Sequence, residues 1–206
     1  MIPLDDFNRI RAALGDVAEK DIEWSEGLKS PANADEFALE IIFVICNSGM
    51  KNTVARGIYD RCVSALIAGR PITKNVFGHK GKVDAIKTIW NRRERLFREF
   101  LDADDKLAFA KALPWIGPIT CYHVAKNFGA DVAKPDVHLQ RLADQHGCTV
   151  QELCADLAKQ LGLRVCTVDT VLWRACANGV INSNTGEIHI ERGRAAQFTA
   201  EAWRHG

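Results

Sequence analysis

The sequence has little that would place the chain in a membrane, in a secretory pathway or among disordered proteins. None of its apolar runs approaches the length of about 18 residues that a membrane-spanning helix needs, and the longest uncharged one, residues 41–46, is typical of a buried core segment. The first six residues include Asp5 and Asp6, where a signal peptide carries basic residues. With 6 Pro and 15 Gly in 206 residues, long disorder is not expected either. We therefore expect a cytoplasmic globular protein with no membrane partner.

The seven cysteines include no pair with CxxC spacing. Four of them, Cys148, Cys154, Cys166 and Cys176, have a spacing that matches neither a zinc site nor a compact iron–sulfur cluster. Because most of the seven have apolar neighbours, we interpret them as small buried hydrophobic residues in a reducing compartment. We predict no metal and no cofactor.

The formal net charge of +1 conceals an uneven distribution. Residues 1–50 carry −6, residues 51–98 carry +9 and residues 99–206 carry −2. The basic middle third is either a solvated helical face with acidic partners in the same chain or a surface that binds phosphates, and charge alone does not separate the two. Its basic side chains include Lys80, Lys82, Lys87, Arg92, Arg93, Arg95 and Arg98.

Helical periodicity recurs along most of the chain. Capping-box patterns at residues 33–36 and 149–152 open apolar runs, and only residues 187–190 have a pattern that fits a strand. The sequence therefore predicts an all-α protein of two helical lobes. We expect the lobes at about residues 30–115 and at residues 1–29 with 116–206.

Residues 107–128 predict two short helices joined by a tight turn at residues 114–117. Such a turn presents backbone N–H groups and the N-terminus of the next helix, which suit a phosphate without needing a charged side chain. On pattern alone, a plain antiparallel helix pair in a bundle remains the preferred interpretation.

The turn and the residues after it resemble the helix-hairpin-helix DNA glycosylases. The hairpin of that family has Leu-Pro, then Gly-apolar-Gly, a variable pair and a small residue, and residues 113–120 read LPWIGPIT. In the family, an aspartate after the hairpin opens a helix and is followed two residues later by a histidine. The matching residues are Asp136, 23 residues after Leu113, and His138.

Upstream, residues 45–52, followed by Ala55 and Arg56, are similar to the element that this family inserts into the duplex. The resemblance covers about residues 35–145. It implies a helix-hairpin-helix motif, a cleft between the two lobes and double-stranded DNA as the partner. No obligate protein partner is evident.

The chain departs from the family in three respects. Trp115 replaces the first hairpin glycine, Ile119 stands where lyase-type members carry lysine, and the family's C-terminal four-cysteine cluster is absent. Without that lysine, a Schiff base with the sugar lacks its usual nucleophile. We therefore expect a monofunctional enzyme without an iron–sulfur cluster, although Lys51 and Lys134 leave strand nicking open.

The resemblance implies that Asp136 is the catalytic carboxylate. Cleavage of an N-glycosidic bond develops positive charge on the deoxyribose. A carboxylate either stabilises this charge or activates the water that attacks the sugar. The alternative for Asp136 is a helix N-cap after Pro135, and the two roles are compatible. The other candidate acid, Asp169, lies inside an apolar helical run, and we expect it to cap or brace that helix.

A base in a duplex must be extruded before an enzyme can reach it, so the protein needs stacking surfaces and a plug. We predict Trp24, Trp115 and Lys134 as pocket residues, with core packing as the alternative for each tryptophan. Trp90 and Trp173 are assigned to the core. The predicted insertion residues are Asn47, Ser48, Met50 and Lys51. The predicted contacts to the DNA backbone are Ile116, Gly117, Ile119, Thr120, Arg92 and Arg93.

Three functions follow, in this order. The first is a DNA glycosylase that removes a modified or damaged base, in repair or in defence against modified foreign DNA. The second is a non-catalytic helix-hairpin-helix DNA-binding protein, and the third is a helical interaction protein. Both DNA functions predict binding that weakens steeply with salt. Residues 182–206 carry no motif, and we assign them no role.

Overall fold

The computed structural model describes residues 1–190, which form eleven helices joined by turns and loops, with no strand. This confirms the all-α prediction for the described chain, in which residues 187–190 form no strand because Ile188 makes only an isolated bridge to Ile181. The last part of the stretch to which we assigned no role, residues 191–206, lies outside the description. The helices are α1 (Leu4–Leu14), α2 (Asp16–Glu26), α3 (Ala34–Asn47), α4 (Asn52–Ile67), α5 (Lys80–Asn91), α6 (Arg93–Asp102), α7 (Lys106–Ala112), α8 (Thr120–Asn127), α9 (Val137–Gln145), α10 (Val150–Leu161) and α11 (Val165–Ala177).

The chain divides into two compact units. The middle unit comprises residues 29–128, and the terminal unit comprises residues 1–28 with the chain from residue 129 onward. The second boundary therefore lies after residue 128, and not near residue 115 as expected. The reason is that α8 packs on α7 and on α3, and that the ring of Phe128 stacks on Phe37 with centroids 5.2 Å apart.

The middle unit is built around α3. Asn33 begins this helix, because its side chain accepts a hydrogen bond from the backbone N–H of Glu36. The helix is apolar on nearly all sides, as a helix surrounded by others must be, and α4, α5, α6 and α8 pack against it. This unit contains 16 Lys and Arg against 10 Asp and Glu, so it carries the chain's basic excess.

The terminal unit is built around α11, which packs against α1, α2, α9 and α10. Thr149 and Glu152 form the capping box expected at the start of α10. Arg174 of α11 is buried and donates two hydrogen bonds to the carboxylate of Asp21 in α2, at 2.7 and 2.8 Å. The bidentate pair satisfies two charges that would otherwise be costly to bury.

Six of the seven cysteines are buried and Cys148 is half-buried, and no disulfide links them. This agrees with their interpretation as small hydrophobic residues. Within residues 1–190, no three His, Cys, Asp or Glu side chains converge as a metal site would require. The same range holds no helix whose length and apolar character would let it cross a bilayer.

Candidate functional site

Asp136 is the N-cap of α9. Its φ and ψ of −77° and 173° are extended, and its Oδ1 accepts hydrogen bonds from the backbone N–H groups of His138 and Leu139 at 2.9 and 3.1 Å. No donor in residues 1–190 makes a hydrogen bond to Oδ2, and the side chain is half-buried. One oxygen of the carboxylate is thus fixed by the helix, while the other is available to a ligand.

The short segment before Asp136 is held from two neighbouring helices. The N–H of Ala133 donates to Oε1 of Gln151 at 2.9 Å, and the N–H of Lys134 donates to Oδ1 of Asp169 at 3.1 Å. Asp169 is only 1% exposed. We had expected Asp169 to cap or brace its own helix. It fixes the backbone that leads into the candidate catalytic residue Asp136.

One group near Asp136 is the thiol of Cys176. Burial, and next the negative charge of Asp136, raise the pKa of the Cys176 thiol to about 12, so this thiol is neutral at physiological pH. On the first turn of α9, Nδ1 of His138 lies 2.9 Å from Oγ of the buried Ser183. The nearby thiol therefore adds no second negative charge beside the Asp136 carboxylate.

The two other pocket candidates of the terminal unit are half-buried. Trp24 lies on the last turns of α2, and Lys134 lies two residues before Asp136. Near the end of α2, Nη1 of Arg164 donates to the carbonyl oxygen of Ser25 at 2.9 Å, and its Nη2 donates to that of Gly129 at 2.7 Å. These bonds anchor the end of the helix that carries Trp24.

The predicted hairpin in the middle unit is a tight turn between α7 and α8. The N–H of Ile116 donates to the carbonyl oxygen of Leu113 at 3.1 Å, and the N–H of Gly117 donates to Oγ1 of Thr120 at 2.7 Å. In the described chain, the N–H groups of Ile119 and Thr120 find no acceptor. The amides available to an anion are therefore those of Ile119 and Thr120, while those of Ile116 and Gly117 hold the turn itself.

Trp115 has a backbone conformation that ordinarily favours glycine. Its φ is 67°, and it is the one non-glycine residue of the described range with a positive φ. A side chain in this region costs about 1–3 kcal/mol and persists where the surroundings impose it, often at binding sites. The indole is 44% exposed, so burial in a core does not account for the strain.

The candidate insertion residues form the turn between α3 and α4. Ser48 donates through its N–H to the carbonyl oxygen of Val44 and through Oγ to that of Ile45. Lys51 is exposed, whereas Asn47, Ser48 and Met50 are half-buried, and Met50 packs against the core of the middle unit. The turn is thus anchored on its inner side and presents Lys51 outward.

Sequence reasoning missed the residue that fixes this turn. Lys82, which we had counted as part of the basic surface, is only 3% exposed. Its Nζ donates to the carbonyl oxygens of Cys46 at 3.2 Å and Ser48 at 2.6 Å, where α3 leaves carbonyls without helical partners. Burial lowers the pKa of Lys82.

The two arginines predicted to bind DNA differ in their surroundings. Arg92 is exposed and has no partner in residues 1–190. Arg93 pairs with the carboxylate of Asp35, donates to the carbonyl oxygen of Trp90 and lies 4.3 Å from the centroid of that ring. The basic segment is therefore mixed, since some of its charges are neutralised within the chain and others are exposed.

Sequence reasoning also missed a polar cluster around Glu40 of α3. Asn127 Nδ2 donates to Oε1 of Glu40 at 2.5 Å, and Arg56 of α4 acts on the same carboxyl group. Burial raises the pKa of Glu40, and burial followed by the charge of Glu40 raises the pKa of Tyr59. The Oδ1 atom of Asn127 is buried without a hydrogen-bond partner. No sequence signal marks the cluster, because its members come from three helices.

No protein-family model, curated protein or solved structure matches this chain. The functional argument therefore depends on the residues and their geometry.

Proposed function

We propose that the chain is a DNA glycosylase that hydrolyses the N-glycosidic bond of an extruded modified or damaged base. The observation that carries the proposal is the different hydrogen bonding of the two carboxylate oxygens of Asp136. Its Oδ1 is held by two backbone N–H groups at the start of α9, and its Oδ2 has no donor within residues 1–190. A carboxylate held in this way is suited to act on a cationic sugar or on water.

The chemistry follows from that geometry. As the bond between C1′ and the base nitrogen breaks, its electron pair leaves with the base, which is then protonated, and positive charge develops on the deoxyribose. Oδ2 of Asp136 stabilises this charge, or takes a proton from the water whose oxygen bonds to C1′. The two N–H groups at the N-terminus of α9 hold the carboxylate in one orientation. The products are the free base and an abasic site.

The lyase reaction of related enzymes needs an amine at the sugar. The position that would supply it in the hairpin is Ile119, whose exposed side chain has no nucleophile. We therefore propose a monofunctional hydrolase, and cleavage of the strand at the abasic site by Lys51 or Lys134 would contradict this part of the proposal.

The middle unit supports DNA as the substrate. It carries the basic excess of the chain, including the exposed Arg92, and its hairpin has unpaired amides at Ile119 and Thr120. Cationic side chains and free backbone N–H groups are the usual ligands of phosphates. The proposal covers both a damaged base and a base that is deliberately modified in foreign DNA.

The test compares base release from duplexes that carry a panel of modified bases. We expect Asp136→Asn to release base at least about 100-fold more slowly than the wild type, while asparagine preserves the N-cap and hence the fold. Asp144→Asn is the matched control, because Asp144 is an exposed carboxylate on the same helix. Equal release by Asp136→Asn and the wild type would remove Asp136 from the mechanism.

A non-catalytic DNA-binding protein is the second candidate, favoured by Trp115 at the hairpin position where the glycosylases that the hairpin resembles have glycine. It predicts salt-sensitive duplex binding and no base release by the wild type from any member of the panel. A helical interaction protein would show neither property. The same set of duplexes therefore separates all three functions.

A further inference from the structure

The indole of Trp115 is seated on the middle unit in a defined way. A Cβ atom built on Gly81, the second residue of α5, would lie 2.6 Å from Cζ3 of the indole. That is closer than any two such atoms approach, so the indole occupies space that only a glycine leaves open. The seat therefore depends on Gly81, which no sequence pattern singled out.

A second ring bounds the seat. His79, the N-cap of α5, contacts Trp115 edge-on, with ring centroids 4.9 Å apart and planes at 77°. Nδ1 of His79 accepts a hydrogen bond from the N–H of Lys82 at 3.3 Å, which fixes the imidazole in place. One side of the indole is thus held by α5, while 44% of the residue stays exposed.

We propose that Trp115, positioned by Gly81 and His79, is a stacking platform for an unpaired nucleobase of DNA. The inference rests on the proposed function for its choice of DNA. It assigns the unpaired base to one ring and adds Gly81 and His79 as positioning residues. A rigid, half-exposed aromatic ring binds flat ligands at little entropic cost, and each base stacked on such a ring contributes substantially to affinity.

Groups next to Trp115 in the chain favour a nucleotide over an aromatic side chain of a protein partner. Ile119 and Thr120, in the same turn, have N–H groups that find no acceptor in the described part of the chain, and such groups suit a phosphate. Lys80, next to Gly81 at the start of α5, is exposed and adds a cation. A flat ring beside anion-binding groups is the combination that proteins use for unpaired nucleic acid.

The test measures equilibrium binding, at constant salt, to a perfect duplex and to the same duplex with a single-base bulge. Glycine adopts a positive φ without strain, so Trp115→Gly preserves the turn. We expect Trp115→Gly to weaken binding of the bulged duplex by about 5- to 150-fold, with little change for the perfect duplex. The salt dependence should be unchanged, because stacking involves no phosphate.

Gly81→Ala provides an independent variant, since it displaces the indole without removing it. We expect a smaller loss for the bulged duplex than with Trp115→Gly, together with altered tryptophan fluorescence. Trp90→Phe is the control, because Trp90 packs against the core of the same unit and should leave both affinities unchanged.

Two results would overturn the inference. One is an equal affinity of Trp115→Gly and the wild type for the bulged duplex. The other is that Trp115→Gly differs from the wild type in self-association, measured by sedimentation, but not in DNA binding. That result would make the indole a protein contact. Base release is measured separately, so its absence contradicts the proposed function without deciding whether Trp115 binds an unpaired base.

Discussion

The two carboxylate oxygens of Asp136 differ in their hydrogen bonds, and the proposed chemistry depends on this difference. Oδ1 caps α9, and Oδ2 has no donor within residues 1–190. The sequence predicted the N-cap, because an aspartate after a proline and before a helical run is typical of one, while the catalytic role was implied only by the resemblance to the glycosylases. It did not predict the hydrogen bond from Lys134 to Asp169, since that bond joins residues 35 positions apart.

Glu40 gives a prediction about stability and pH. Its pKa is raised above the ordinary value of 4.5, mainly by burial, so the folded state binds its proton more tightly than the unfolded state does. The stability that this difference provides is present below about pH 4.5 and is lost as the pH rises through the raised pKa. We expect Glu40→Gln, which stays neutral, to gain stability relative to the wild type over that rise.

Urea unfolding of both proteins at a series of pH values checks this expectation. Arg56, Tyr59 and Asn127 are the groups that face Glu40, and all three remain in the variant. Glu99→Gln, at an exposed site, is the control and should follow the wild type. A constant difference between Glu40→Gln and the wild type at every pH would show that Glu40 titrates as an ordinary surface carboxyl group.

Among the elements, helix starts were the most predictable features. The caps at Asn33 and Thr149 are local, since each involves residues three positions apart. The expected capping box forms at Thr149. At Asn33 only the side-chain cap forms, because Glu36 accepts a hydrogen bond from the N–H of Ala32 and none from that of Asn33. The turn at 47–51 was predicted as a break, but its anchor was not. Lys82 reaches it from α5, and a lysine in a basic segment gives no sign that it is buried.

The turn between α3 and α4 should loosen when Lys82 is replaced. Lys82→Met fills the same space but leaves the carbonyl oxygens of Cys46 and Ser48 without a donor, at a cost of about 1–3 kcal/mol for a buried polar group. We expect faster amide hydrogen exchange at Ser48 and Met50, whose N–H groups bond within the turn.

Mass-spectrometric hydrogen exchange resolves this segment. Lys87→Met, on the same helix and only half-buried, is the matched control and should leave the exchange of the turn unchanged. Identical protection of Ser48 and Met50 in Lys82→Met and the wild type would mean that the lysine does not anchor the turn.

At the scale of the whole molecule, the two units differ in charge and in the candidate functional residues that each contains. The middle unit holds the basic excess, the hairpin and Trp115, and the terminal unit holds Asp136. Charge segregation was visible in the sequence, because it needs only counting. The boundary after residue 128 was not, since it depends on the packing of Phe128 against Phe37 and Phe100.

The central claim is that Asp136 supports hydrolysis of a base from DNA. The most direct measurement is a mass-spectrometric survey of the free bases released from genomic DNAs of varied modification, by the wild type and by Asp136→Asn. We predict one class of base released by the wild type, with the strand left intact at an abasic site, and almost none released by the variant. Release by both proteins at the same rate, or by neither from any DNA, would contradict the account.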